Sequence, residues 1–263
     1  MKNVKHYFIL LAISIFFSSC VTLTVNYSGK HMEPVEKVAF ISTMLGEMIQ
    51  PTFPLIGAAA FNTKTNVISA EIMEMQKRNI DNHRDILVNL FETHFSCTSL
   101  YGDSLHQTDE YSEIKTKFNF PNSLQIPNKR FPYIITASND INPFEFENGR
   151  VNLYFFTPSL YKASMAEICK ELNVNYLVVS YTVLDVARTA AFGIYGSLRL
   201  NSQVFVFDRD GDIVLDGINW SDNIHLSGRN INDYEKVIND YKMSVEPIVR
   251  EFALKAKGAA FVK

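Results

Sequence analysis

The sequence predicts an α/β (α+β) chain: a mixed β-sheet with helices packed on it, a long C-terminal helix and one long irregular insertion. Three observations carry this expectation. Tyr176-Leu177-Val178-Val179-Ser180-Tyr181-Thr182-Val183-Leu184 is a run of β-branched, aromatic and aliphatic residues, as a strand buried on both faces requires. Residues 197–207 and 213–220 read as two strands joined by Asp208-Arg209-Asp210-Gly211-Asp212, where Asp-Gly marks a hairpin. Near the C-terminus Tyr234, Val237, Ile238, Tyr241, Val245, Ile248, Phe252 and Ala256 share one broad helical face.

The other elements follow in chain order. Val35-Glu36-Lys37-Val38-Ala39-Phe40-Ile41-Ser42 predicts a first, largely buried strand. Residues 44–62 hold Phe53 between Pro51 and Pro54 and then the apolar run from Leu55 to Phe61. That stretch reads as a loop or short helix folded over the core, the alternative being a membrane-touching or partner-binding loop. From 67 to 95 Ile68, Ile72, Met75, Ile80, Leu87, Leu90, Phe91 and Phe95 follow helical spacing. Asp81 is placed to cap a second segment, so this is one long helix or two. A strand around Thr98-Ser99-Leu100-Tyr101 follows.

Residues 103–156 predict an irregular insertion, with Pro121, Pro127, Pro132 and Pro143 among many Asn and Ser residues. Its aromatics, including Phe118, Phe120, Phe131, Tyr133, Phe144 and Phe146, either pack back onto the domain or form a recognition surface. Thr157-Pro158 is a helix start, and Asn173 a stop. Leu160, Ala163, Ala166, Cys169 and Leu172 mark the inner face of that helix. Residues 187–196 are rich in Ala and Gly and read as a loop. Pro247 is expected to kink or split the last helix, over 232–257, because it removes a backbone donor.

The amino terminus is a secretory signal: Lys2 and Lys5, an apolar core over 7–17 interrupted only by Ser14, then Ser18-Ser19. The core falls short of the about 20 residues that span a bilayer. Cys20 directly after the small residues makes the pattern resemble the bacterial lipobox, although Phe17 stands where an aliphatic residue is commoner. The resemblance implies diacylation of Cys20, cleavage before it, and acylation of the new amino terminus. Residues 1–19 are then a lipoprotein signal peptide, 20–34 a lipidated tether, and 35–263 a single domain. The tether, extended, reaches about 50 Å from the membrane. In the sorting rule that goes with the lipobox, Asp after the cysteine retains a lipoprotein at the inner membrane. Val21 stands there, so the outer membrane, facing the periplasm, is the expected location.

Composition excludes some classes of function. Of 25 Lys and Arg, Lys2 and Lys5 fall in the leader, which leaves 23 against 28 Asp and Glu. Nucleic acid is therefore not an expected partner. Cys97 and Cys169 are the other cysteines; each ends an apolar helical stretch, and whether they pair is open. Asp208-Arg209-Asp210-Gly211-Asp212 is not spaced as an EF-hand, whose glycine comes sixth. His83 and His94, eleven residues apart, lie about 16 Å apart along a continuous helix and cannot share an ion. Neither these nor His31, His106 and His225 enter a metal motif, and no H-E-x-x-H, G-x-S-x-G or phosphate loop is present. The expectation is no enzyme, no cofactor and no metal.

Three pieces of the chain resemble envelope lipoproteins related to the TolB amino-terminal domain. That group includes the curli-secretion lipoprotein and the activator lipoproteins of peptidoglycan synthases. The pieces are Lys37-Val38-Ala39-Phe40-Ile41, the stretch from Ile168 through Asn173-Val174-Asn175 to Ser180, and Val204-Phe205-Val206-Phe207-Asp208 through Gly211-Asp212-Ile213-Val214. Those families end the helix in Leu-Gly-Ala-Asp, where this chain has Asn173-Val174-Asn175. The resemblance implies a compact module that binds a protein partner in the envelope without catalysis, its bilayer contact made through acylated Cys20. One alternative is a subunit of an outer-membrane secretion channel, for which 190–206 is the only stretch near membrane-hairpin length. The other is an envelope hydrolase or ligand-binding protein with a deep polar pocket.

Overall fold

The computed structural model describes residues 23–28, 34–49, 58–118, 134–141, 158–188, 196–221, 224–225 and 231–261. Cys20, residues 50–57, much of the insertion and the stretch 189–195 lie outside them.

The expected α/β architecture is present as one mixed sheet of eight strands. β1 is Thr24–Tyr27, β2 Lys37–Ile49, β3 Thr98–Leu100, β4 Ile134–Thr136, β5 Tyr176–Arg188, β6 Gly196–Phe207, β7 Ile213–Trp220 and β8 Ile224–His225. The order is β1-β7-β6-β5-β2-β3, with β4 on β2 and β8 on β6. β2 is parallel to β5 and β3, and the remaining pairs are antiparallel. The helices are α1 Ala58–Phe95, α2 Gly102–His106, α3 Asp109–Phe118, α4 Pro158–Glu171, α5 Ile231–Asn239 and α6 Tyr241–Phe261.

β5 is the buried central strand its run of apolar residues requires, and its alternation divides the core. Val178 and Leu184, with Val38, Phe40, Val204 and Val206, face α1, α5 and α6. Leu177, Val179, Tyr181 and Val183, with Ala39, Ile41, Phe205 and Phe207, face α2, α3 and α4. On the first side the Phe40 and Phe91 rings meet edge-on at 5.3 Å, a geometry aromatic quadrupoles favour.

Several elements differ from the sequence expectation. Of the two alternatives for 67–95 the single continuous helix is present, but it begins earlier, at Ala58, and Asp81 caps nothing there. Its carboxylate instead accepts from Ser138 N–H at 2.9 Å and Ser138 Oγ–H at 2.7 Å. Residues 44–49, expected in a loop, continue β2. The start of the stretch expected to be irregular forms α2 and α3, and 134–136 returns as β4. The C-terminal helix divides at Asp240, while Pro247 sits inside α6. On α4 the buried face is Met165, Ile168 and Cys169, with Leu172 buried just past its end. A strict three-residue step drifts around a helix of 3.6 residues per turn, which is why Ala163 is exposed.

The stop at Asn173 is as read. Its φ is +48°, and the Asn173 and Val174 N–H groups donate to Lys170 O (3.2 Å) and Cys169 O (3.0 Å). This is a Schellman closure with asparagine in the left-handed position. Cys97 and Cys169 are free thiols. Cys97 packs against the α1 side of the sheet and Cys169 is buried on the α4 side, so the sheet separates them.

The stretch 20–34, read from the sequence as unpaired, contains a strand. Thr24–Tyr27, inside it, is β1, paired with β7 from Thr24↔Ile218 to Tyr27↔Leu215. Leu23, Val25 and Tyr27 pack against the first core, and Lys255 Nζ donates to Val25 O at 2.7 Å.

Candidate functional site

Three polar constellations stand out, and the first lies in the interior. Asp140, from the returning part of the insertion, has a fully buried side chain. Its Oδ2 accepts from Thr43 N–H at 2.9 Å, and its Oδ1 lies 3.1 Å from both Arg84 Nη1 and His106 Nε2. Arg84 also reaches Asp81 at 3.2 Å and Ser138 O at 3.3 Å. Burial raises the Asp140 pKa, while the His106 hydrogen bond, the Arg84 charge and the Thr43 N–H oppose it. The Arg84 and His106 side chains are 9% and 7% exposed, so the charged groups of the cluster face one another and not solvent. It ties α1, α2 and β2 to the residues that close the insertion.

The second constellation is the 208–212 turn, where the Asp208, Asp210 and Asp212 carboxylates lie within 4.8 Å of one another. Asp208 Oδ1 accepts from the Asp210 and Asp212 N–H groups at 3.0 and 2.9 Å. Asp212 Oδ1 receives Lys162 Nζ at 2.6 Å. Gly211 N–H donates to Asp208 O, and Gly211 alone in the turn has positive φ, +74°. The hairpin thus closes by a three-residue loop ending in a left-handed glycine, not by a two-residue turn. An open groove of about 590 Å³ beside it is lined by Glu167, Lys170, Glu171, Asn173 and Arg209.

The third constellation faces outward. Asn219 donates to Ser244 O on α6 and Gly217 lies against Ile248. Asp216, Ile218 and Trp220 therefore point to the opposite face. Arg199, Asn201 and Gln203 of β6 and Thr24 and Asn26 of β1 share that face, and all eight residues are half-buried or exposed. Among the described residues the helices on this side cover β2, β5 and the Phe205–Phe207 end of β6, and none covers these positions. Gln203 Nε2 donates to Asp216 Oδ1 at 3.0 Å, and Asn26 also hydrogen-bonds that carboxyl. Burial raises the Asp216 pKa against these two bonds. The Arg199 guanidinium lies over the Trp220 ring, 3.8 Å from its centroid.

Cys20 lies outside the described residues, as do Phe120, Phe131, Tyr133, Phe144 and Phe146 of the insertion. The uncovered face was missed in the sequence, where 197–207 was read simply as a strand. Its signal was there: Arg199, Asn201 and Gln203 alternate with Leu200, Ser202 and Val204. Leu200, Val204 and Val206 are core residues of the sheet, so any membrane hairpin drawn from 190–206 is confined to the residues ahead of Leu200.

No protein-family model matches the chain, and no curated protein matches it. Among solved structures it is similar to a dodecamer of a PelC variant from Paraburkholderia phytofirmans. The identity is 11% and the TM-score 0.29, with 86% of this chain and 98% of that chain covered.

Proposed function

We propose that this chain is a lipoprotein of the cell envelope, anchored through acylated Cys20 in the outer membrane and facing the periplasm. Its α/β domain binds another envelope protein and performs no chemistry. The observation that supports this best is the uncovered face of β6, β7 and β1. Among the described residues no helix covers Asn201, Gln203, Asp216, Asn26 and Thr24, and together they form a polar patch that a partner can meet with hydrogen bonds. The polar groups that resemble catalytic parts, Asp140, His106 and Arg84, are enclosed and mutually paired.

The test is crosslinking in intact cells from a photoreactive residue at Asn26 or Gln203, with Lys242 on the opposite, α6 side as control. One discrete protein adduct from the first two positions, absent from the third, is expected. Equal labelling from all three positions, or no adduct, would overturn the binding surface. Cys20→Ser should move the chain from the membrane to the soluble fraction.

A further inference from the structure

The strand β1 constrains how the domain can sit on its membrane, and the argument rests on the anchor reading just given. Cys20 is four residues from Thr24, so the acylated residue lies within about 14 Å of that Cα. A free 14-residue tether would have allowed about 50 Å. Thr24 pairs with Ile218, and Trp220 is two residues further along β7 in the direction in which the chain runs back toward Cys20, about 7 Å away. The Trp220 ring lies on the uncovered face with Arg199 stacked on it. Tryptophan concentrates at membrane–water interfaces, where its apolar ring and N–H are both accommodated. Arginine beside it extends a charged head to the phosphate level while its stem stays apolar.

We propose that Trp220 and Arg199 form a second membrane contact, in the headgroup zone of the same bilayer that holds Cys20. The domain is then docked by one end of its open face and does not swing on a leash. β6 runs past Arg199 to Gly196 with β8 paired beside it, so this tip of the sheet lies on the membrane side of Trp220. Gln203, Asp216 and Asn26, at the other end of the face, remain available to a protein partner.

Trp220 is the only tryptophan in the chain, so its fluorescence reports this contact without labelling. The full-length acylated protein is placed in phosphatidylethanolamine–phosphatidylglycerol vesicles, with and without phospholipid brominated near the headgroup end of its acyl chains. Mass spectrometry of the amino-terminal peptide and vesicle flotation test the anchor separately. The expected result is that brominated lipid quenches the emission, as for an interfacial indole, and that aqueous iodide quenches less than in Cys20→Ser protein without vesicles. Arg199→Gln should weaken the lipid quenching while flotation is unchanged. An acylated, floating protein whose Trp220 ignores brominated lipid and meets iodide freely overturns the contact and leaves the anchor standing. Shielding from both quenchers would mean that protein covers the ring, and also overturns it. Absence of acyl groups and of flotation overturns the anchor reading and this one with it.

Discussion

His83 lies flat against Tyr241, with ring centroids 4.1 Å apart and planes 9° from parallel. The pair joins the middle of α1 to the first residue of α6, and His83 Nε2 is 2.9 Å from Ile238 O. That carbonyl can only accept, so Nε2 carries the proton and Nδ1 is the bare nitrogen of the neutral ring. Burial lowers the His83 pKa from 6.5 to about 4, against the carbonyl bond that raises it. Below pH 6.5 the unfolded chain therefore takes up a proton here that the folded chain refuses. Stability from this group is fully present above about pH 6.5, falls as pH drops, and has gone by about pH 4. Over that window the loss is about 3 kcal/mol. Urea unfolding at stepped pH should show the decline, and His83→Phe should flatten it while costing about 1 kcal/mol at neutral pH through the lost hydrogen bond.

Asp140 gives a prediction of a different kind. Its carboxylate holds Arg84 and His106 and satisfies the Thr43 N–H. Asp140→Ala takes the carboxylate from all three at once and leaves a buried guanidinium with Asp81, Ser138 O and, at 4.0 Å, Asp85 to meet it. The expected cost is about 3 kcal/mol, read as a fall in unfolding midpoint. Asp140→Asn keeps the shape and one acceptor and should cost less. Hydrogen exchange should rise first around Ala137 and Ile141, whose N–H groups donate to Thr43 O and Ile41 O beyond the last residues of β4.

These two clusters show where legibility in the sequence ends. The strand core at Tyr176–Leu184, the hairpin, the Pro158 start and the Asn173 stop were readable, because each is set by neighbours in sequence, whereas β5 runs on to Arg188 into residues read as a loop. The apolar face of α6 was readable for the same reason. Asp140, Arg84 and His106 were not, since their meeting depends on β4 returning to β2 after a long excursion. β1 escaped for a related reason: Thr24-Val25-Asn26-Tyr27 is weakly patterned by itself and becomes a strand by pairing with β7. Pro247 does not split the helix, since α6 continues through it and the break falls at Asp240. The uncovered face was visible as a polar alternation whose meaning depends on which helices lie over it.

Gly211 is where turn chemistry and packing meet. Its φ of +74° disfavours any side chain by about 1–2 kcal/mol. A Cβ there would also collide with Lys162 O and fall 2.8 Å from Ala166 N, both backbone atoms of α4 that cannot rotate away. Gly211→Ala should therefore cost more than the backbone term alone and separate the hairpin from α4. Gly211→Asn, which tolerates the left-handed conformation, should not rescue it, because the clash is with the Cβ itself. Equal and small losses in the two variants, measured by thermal unfolding, would show that the turn can move away from α4.

The two cysteines make the last prediction. In an oxidising compartment two thiols within reach of each other form a disulfide, yet Cys97 and Cys169 belong to opposite faces of one sheet. A bond between them would have to cross the layer formed by β2 and β5, and Cβ atoms must approach within about 4.5 Å for closure. Both should remain thiols even after exposure to oxidant, with the intact mass unchanged by reductant. Their reactivity should also differ. Burial pushes the Cys169 thiol up to about 12, helped by the Asp208 charge, and its Sγ–H donates to Asp208 O at 3.4 Å. Cys97 is half-exposed and raised by burial to a lesser extent. A thiol reagent at pH 8 should label Cys97 in the folded protein and Cys169 only after unfolding. Labelling of Cys169 at the rate of Cys97 would mean that α4 lifts from the sheet, and with it that the second core is open on the timescale of the reaction.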